Sequence, residues 1–283
     1  AFLNRVITED IYITQPEGFI DPQHPDHVCK LQKCLYRLKQ APRVWNNTIN
    51  QYLWTNGFSR AYPDPCIYIK TESCGQCIIF LYVDNLLIAA TLSLMMEAKG
   101  LLSSWFKMKD LGEVKSLLGI EIQCDWTAGT LLLRQSGYIQ DILNTFGMTE
   151  CNPISTPLTA GISHSKLVEV STFAKHLPFR NAIGKLVYAA TATWLDSPLQ
   201  QDICPGSPPV LTLSTGNQYC IFWYLQHSKD TSLCFDKHHP SGLTLFKYCN
   251  ADWGEDINYW KSTSGYIFML CGATVSWASK KQS

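Results

Sequence analysis

The run Ile78-Ile79-Phe80-Leu81-Tyr82-Val83-Asp84-Asn85-Leu86-Leu87-Ile88 sets two apolar, β-prone stretches on either side of a polar break. This pattern reads as a tight hairpin with buried strands and a polar tip. A carboxylate between two apolar strands has to leave the core, because burying an unpaired charge there is too unfavourable. Held outward on a rigid support, it can act as a hard oxygen ligand for Mg²⁺. Two such cations about 3.5 to 4 Å apart clamp the attacking and leaving oxygens of a phosphoryl transfer. On spacing alone, however, an Asp-Asn tip is also an ordinary hairpin turn.

Working outward, Cys66-Ile67-Tyr68-Ile69 supplies a neighbouring strand, and residues from about 93 to 107 suit a helix. Upstream, apolar residues from Val28 to Gly57 recur at helical spacing, with Pro42 dividing a short helix or turn from a longer helix. Asp10-Ile11-Tyr12-Ile13 is β-prone and runs into a loop rich in Pro, Asp and His. Downstream, Leu117 to Gln123 and Thr130 to Arg134 read as paired strands, and Tyr138 to Phe146 as a helix. Strands interleaved with helices predict an α/β (α+β) fold. Near Cys151 the texture changes to a linker, Asn152-Pro153-Ile154-Ser155-Thr156-Pro157-Leu158. A helical stretch from Asn181 to Thr193 follows, then Trp194 to Gly216 with four Pro and no periodicity, then strand-like runs at Leu243 to Tyr248 and Ser264 to Cys271.

With 283 residues, 46% of them apolar and 16% charged, the chain is long enough for two domains with buried cores. Lys+Arg and Asp+Glu both total 23, so any case for a polyanionic partner has to be local. Such a case exists between His27 and Pro63, where Lys30, Lys33, Arg37, Lys39, Arg43 and Arg60 occur without a single Asp or Glu. Interleaved aromatics such as Tyr36 and Trp45 could stack on bases. Alternatively they turn into the core beneath a solvated basic face. The twelve Cys are scattered through a core-forming chain and read as reduced thiols of an intracellular protein, with Cys74 and Cys77 in a hairpin loop. No apolar run reaches the roughly 18 to 20 residues of a membrane span, and no signal peptide opens the chain, so neither membrane insertion nor export is expected. Ala1 and Ser283 both read as cuts through longer elements.

Four strings, in order, resemble the reverse transcriptase segment of copia-type retrotransposon Pol polyproteins. They are Ala1-Phe2-Leu3 with Asp10 to Phe19, then Cys34-Leu35-Tyr36-Arg37-Leu38-Lys39-Gln40-Ala41-Pro42-Arg43-Val44-Trp45. Tyr82-Val83-Asp84-Asn85 follows, and then Met108 to Glu113 with Leu118-Gly119-Ile120-Glu121-Ile122. The resemblance implies fingers and palm elements with an antiparallel palm sheet, and template- and primer-dependent dNTP polymerisation by two-metal chemistry with Mg²⁺ or Mn²⁺. It implies Asp84 as metal ligand, Lys39, Gln40 and Arg43 as contacts to template or nucleotide, and Leu118 and Gly119 in the primer-grip region.

The departures matter as much. Asn85 stands where the family has a second Asp, which leaves a neutral amide oxygen in place of an anionic one. The family's first catalytic Asp would precede Ala1, and the family has Gly where Arg37 stands. Cys249-Asn250-Ala251-Asp252-Trp253 and Lys261-Ser262-Thr263-Ser264-Gly265 resemble the opening of the family's ribonuclease H domain, with Asn250 replacing an Asp and Asp252 retained. The domains expected are therefore 1–158 reverse transcriptase, 159–242 a partly decayed connection, and 243–283 the start of a ribonuclease H-like domain. Three functions stay open at this point: a working RNA-directed DNA polymerase, an inactive copy that binds RNA template and DNA primer, and an unrelated α/β binding protein. Oligomeric state is not legible.

Overall fold

The computed structural model describes residues 9–156, 179–194, 218–253 and 261–282. Ala1-Phe2-Leu3, Pro157-Leu158 and the Pro-containing stretch after Trp194 lie outside these residues. The chain divides into two compact units, Ala1–Gly112 and Glu113–Ser283.

In the first unit, strand β1 (Tyr12–Thr14) pairs antiparallel with β2 (Val28–Lys30). The start of the stretch read at helical spacing is thus a strand, because the Tyr12–Thr14 backbone supplies a ladder for it. Helix α1 (Ala41–Thr55) begins where Pro42 sits in the first turn, a position whose missing N–H leaves no bond unmade. Its inward face is Ala41, Trp45, Thr48, Ile49 and Leu53, the stripe expected of an amphipathic helix. Gly57, at φ 85°, ends it, and the Phe58 N–H returns to the Leu53 carbonyl at 3.0 Å.

An antiparallel sheet follows in the order β3 (Ser59–Arg60), β4 (Ile67–Glu72), β5 (Gly75–Tyr82), β6 (Asn85–Ala90). Along β5 the buried residues alternate as Cys77, Ile79 and Leu81, so one face of the sheet is core. Helix α2 (Leu92–Trp105) buries Leu94, Ala98 and Leu102 in that core, together with Phe106. Full burial of a side chain such as Ile49, Leu53 or Ile79 contributes about 1.5–3 kcal/mol.

The second unit holds another antiparallel sheet, ordered β10 (Leu233–Asp236), β9 (Thr130–Arg134), β8 (Ile120–Asp125), β7 (Ser116–Leu117). The run Leu117 to Gln123, expected as one strand, is broken by a turn at Leu118-Gly119 that folds β7 back onto β8. Strand β10, from the stretch read as connection, completes the sheet. Helices α3 (Ser136–Thr145), α4 (Phe179–Ala192) and α5 (Gln218–Ser228) share a core of Ile139, Ile142, Leu143, Leu186, Ile221 and Leu225. A third sheet joins β11 (Phe246–Ala251), β12 (Thr263–Leu270) and β13 (Ala273–Lys281) in antiparallel order. It is tied to the rest of the unit by Trp277 Nε1, which donates to the Ala190 carbonyl at 3.1 Å, and by the Asp236 N–H, which donates to the Cys271 carbonyl at 2.9 Å. The mixed α/β architecture with antiparallel sheets is the one expected. Among the described residues, no helix is long and apolar enough to cross a membrane.

Candidate functional site

Tyr82 and Asn85 are the last pair of the β5–β6 ladder, so the hairpin turns on Val83 and Asp84. The polar break therefore straddles the turn, with Asn85 already in the strand. Val83 has φ 50°, a left-handed conformation that a β-branched residue adopts only where its surroundings enforce it. The enforcing contact is Trp45, whose Nε1 donates to the Val83 carbonyl at 2.7 Å. The indole is 4% exposed and lies edge-on to Phe106 at 5.3 Å between centroids. Of the two possibilities for the aromatics, Trp45 thus takes the core, where it carries the tip.

Asp84 is exposed, and the Tyr36 hydroxyl donates to its carboxylate. That bond holds the Tyr36 phenol above its usual value, with burial and the Asp84 charge adding to the rise. Asn85, beside it, is exposed and offers only an amide oxygen. Among the described residues, no three His, Cys, Asp or Glu side chains converge to hold a metal ion. The donor set at this tip does not fit a pair of divalent cations, since one carboxylate and one amide lack the charge that two-metal chemistry uses.

The same two contacts, Tyr36 to Asp84 and Trp45 to Val83, tie both ends of the segment 36–45 to the tip. Within it, Gln40 precedes the first turn of α1 and its carbonyl accepts the Val44 N–H at 3.1 Å. Lys39 and Arg43 are exposed at the same helix end, where backbone N–H groups favour anions. Arg43 lies 3.9 Å from Glu9, a surface pair of small energetic value. Two members of the basic stretch are engaged elsewhere. Arg60 donates to Asn46 Oδ1 and to the Tyr68 hydroxyl, each at 3.0 Å, and Lys30 pairs with Asp10 at 2.5 Å.

Arg37 sits at φ 73°, the region where a side chain costs about 1–2 kcal/mol relative to Gly. Replacement by Gly forfeits about 0.5–1 kcal/mol through the freer unfolded chain. Arg37→Gly is therefore expected to raise stability by about 0.5–1 kcal/mol in denaturant titration, while Arg37→Ala, which keeps a Cβ, gives no gain. Equal midpoints for the two variants would contradict the strain argument.

In the second unit, Leu118 (φ 53°) and Gly119 (φ 74°) are the central residues of the β7–β8 turn, both left-handed as in a mirror-image hairpin turn. The Leu118 carbonyl accepts the Tyr188 hydroxyl from α4. Asn250 lies in β11 opposite Gly265, and its Oδ1 accepts the N–H of Ala251 at 2.9 Å. Asp252 Oδ1 accepts the Thr263 N–H at 2.9 Å, which links the residue after β11 to the first residue of β12. Sequence reasoning missed the supporting roles of Tyr36, Trp45 and Tyr188. Only the aromatic character of Tyr36 and Trp45 inside the basic string gave any signal.

The family model described as reverse transcriptase (RNA-dependent DNA polymerase) matches residues 1–160. The retrovirus-related Pol polyprotein from transposon TNT 1-94 of Nicotiana tabacum is 36% identical over 297 residues, covering 100% of this chain and 22% of the relative. That from transposon RE1 of Arabidopsis thaliana is 33% identical over 288 residues, covering 100% of this chain and 19% of the relative. The chain thus spans about a fifth of the length of these two polyproteins. A transposon Ty5-1 protein of Saccharomyces cerevisiae is 33% identical over 294 residues, with 99% of this chain and 91% of that protein covered. No solved structure gives a significant match. The order of the strings, the hairpin they frame and these relatives agree: the chain belongs to the reverse transcriptase (RNA-dependent DNA polymerase) family of copia-type retrotransposons.

Proposed function

We propose that this chain derives from a retrotransposon RNA-directed DNA polymerase, engages an RNA template and a DNA primer inside the cell, and does not itself polymerise dNTPs. The observation that carries the inactive reading is the tip, where Asn85 pairs with Tyr82 beside Asp84 and offers an amide in place of a second carboxylate. Paired Mg²⁺ or Mn²⁺ ions stabilise charge on a transferring phosphoryl group, and this donor set lacks the carboxylates that hold such a pair. Losing one stabilising group of that kind costs about 3–4 kcal/mol of transition-state energy. Lys39, Gln40 and Arg43 are the residues assigned to template or nucleotide, because the helix end that presents them is fixed to the tip on both sides. Leu118 and Gly119 are assigned to the primer.

A ribonuclease H-like reading of residues 243–283 is supported by the antiparallel β11–β13 sheet and by matches to Pol polyproteins that extend over 100% of this chain. With Asn250 at one family ligand position and Asp252 bonded to the first residue of β12, hydrolysis by this sheet is not expected.

The test is extension of a DNA primer on an RNA template with Mg²⁺ or Mn²⁺, with Asp84→Ala as control. No extension is expected; product that vanishes in Asp84→Ala would overturn the inactive reading. In the same preparation, a Lys39→Ala/Arg43→Ala double variant is expected to bind an RNA–DNA hybrid more weakly. Its log–log salt slope should flatten by about 0.9 for each phosphate that is no longer neutralised. Unchanged affinity and slope would remove those two side chains from the nucleic-acid surface.

A further inference from the structure

We propose that Tyr188, on α4 and beyond the stretch matched by the family model, is a positioning residue for the primer terminus, acting through the Leu118-Gly119 turn. The proposal rests on the reading of that turn as a primer contact.

Three observations converge on it. Leu118 is held at φ 53°, a conformation that persists for a branched apolar residue only where neighbouring structure over-determines it. The bond available for this is the Tyr188 hydroxyl, which donates to the carbonyl of Leu118 itself. Next to it, a Cβ placed on Gly119 would meet the rings of Tyr138 at 3.7 Å and Tyr188 at 3.9 Å, so an aromatic pair lines the side of the turn on which a residue at this position would project. That pair is itself rigid. Tyr138 and Tyr188 meet edge to face at 5.2 Å, and the Tyr138 hydroxyl donates to the Lys185 carbonyl at 3.3 Å, joining α3 to α4.

The strand leaving the turn is clamped as well. Glu121 Oε1 accepts the Gly137 N–H at 2.8 Å at the start of α3, and its other oxygen accepts Arg134 Nε at 3.1 Å. Glu121 thus holds the strand and the Leu117–Ile120 pair closes the hairpin, while the Tyr188 bond reaches the turn itself, where Leu118 is 39% exposed. Displacing the turn's carbonyl would move the surface offered to a primer without disturbing the helix core.

The experiment uses the full chain and the variant Tyr188→Phe, which keeps the ring and removes the donor. Backbone amide exchange is read at Gly119 and Ile120, with Ile142 in α3 as an internal reference. Binding is measured to an RNA–DNA hybrid with a recessed DNA 3′ end and to the same hybrid with blunt ends. In Tyr188→Phe, exchange at Gly119 and Ile120 should accelerate about threefold to tenfold, the loss that one hydrogen bond carries, with Ile142 unchanged. The preference of the parent for the recessed hybrid should fall by a similar factor while blunt-hybrid affinity stays. Unchanged exchange at the turn, or an unchanged preference despite faster exchange, overturns the proposal. A parent chain that binds neither hybrid overturns the functional reading and the primer role with it. The exchange result then separates that failure from a failure of the Tyr188 bond.

Discussion

Trp45→Ala is expected to destabilise the first unit by roughly 3–5 kcal/mol, the range for deleting a buried aromatic side chain. The indole is 4% exposed, packs edge-on against Phe106 and donates to the Val83 carbonyl at 2.7 Å. Its removal opens a cavity in the core shared by α1, the β3–β6 sheet and α2, and leaves the Val83 turn without its donor. Against a domain stability of about 5–15 kcal/mol, a loss of this size moves the unit to the edge of unfolding. Trp45→Phe separates the two contributions. A ring remains, and the lost bond costs about 1 kcal/mol, with faster amide exchange concentrated at Tyr82 and Asn85, the pair that closes the tip. A Trp45→Ala chain whose urea midpoint matched the parent's would show that the indole neither fills the core nor carries the hairpin.

Ending the chain at Leu158 is expected to unfold α3 and its sheet. That endpoint keeps the reverse transcriptase segment expected from sequence but removes α4, α5 and β10. Ile139, Ile142 and Leu143 are each 0% exposed in the full chain, and they pack on Leu186, Trp194, Ile221 and Leu225. Exposing three such side chains forfeits roughly 5–9 kcal/mol at about 1.5–3 kcal/mol each. Strand β9 would also lose its ladder to Leu233–Asp236 and present an open edge, which promotes association between chains. Amide exchange of Ile142 and Leu132, read together with light scattering, checks both consequences. Full protection at those amides in a monodisperse 1–158 chain would mean that the segment supports its own core.

Local pattern made some of this legible. The β5–β6 hairpin was readable because apolar runs on both sides of Asp84-Asn85 leave only one place for a turn. Helices α1, α2 and α3 were readable because their buried residues recur at three and four. What escaped depends on partners distant in sequence. Strand β10 spans only Leu233–Asp236, too short for alternation to register, and its partner residues Thr130–Leu133 lie about a hundred positions earlier. The Leu118-Gly119 turn was hidden inside an apolar run, since Leu at a left-handed position carries no turn signature. Val28–Lys30 fits a helical stripe and is a strand only because Tyr12–Thr14 pairs with it.

The site divides in the same way. Asp84, Lys39, Gln40 and Arg43 could be named from strings of residues. That Tyr36 and Trp45 fasten this segment to the hairpin could not, because both bonds span dozens of residues, and the one from Trp45 ends on a main-chain atom.

That last bond has an evolutionary consequence. The indole grips the carbonyl of Val83, so the support of the turn is indifferent to which side chains follow it. An exchange of Asp for Asn at position 85 alters the charge at the tip and leaves its scaffold as it was. The bond from Trp45 therefore exerts no selective pull on the side chain at that position. A copy that exchanges the carboxylate at this position keeps the tether from Trp45, and with it the support of the turn.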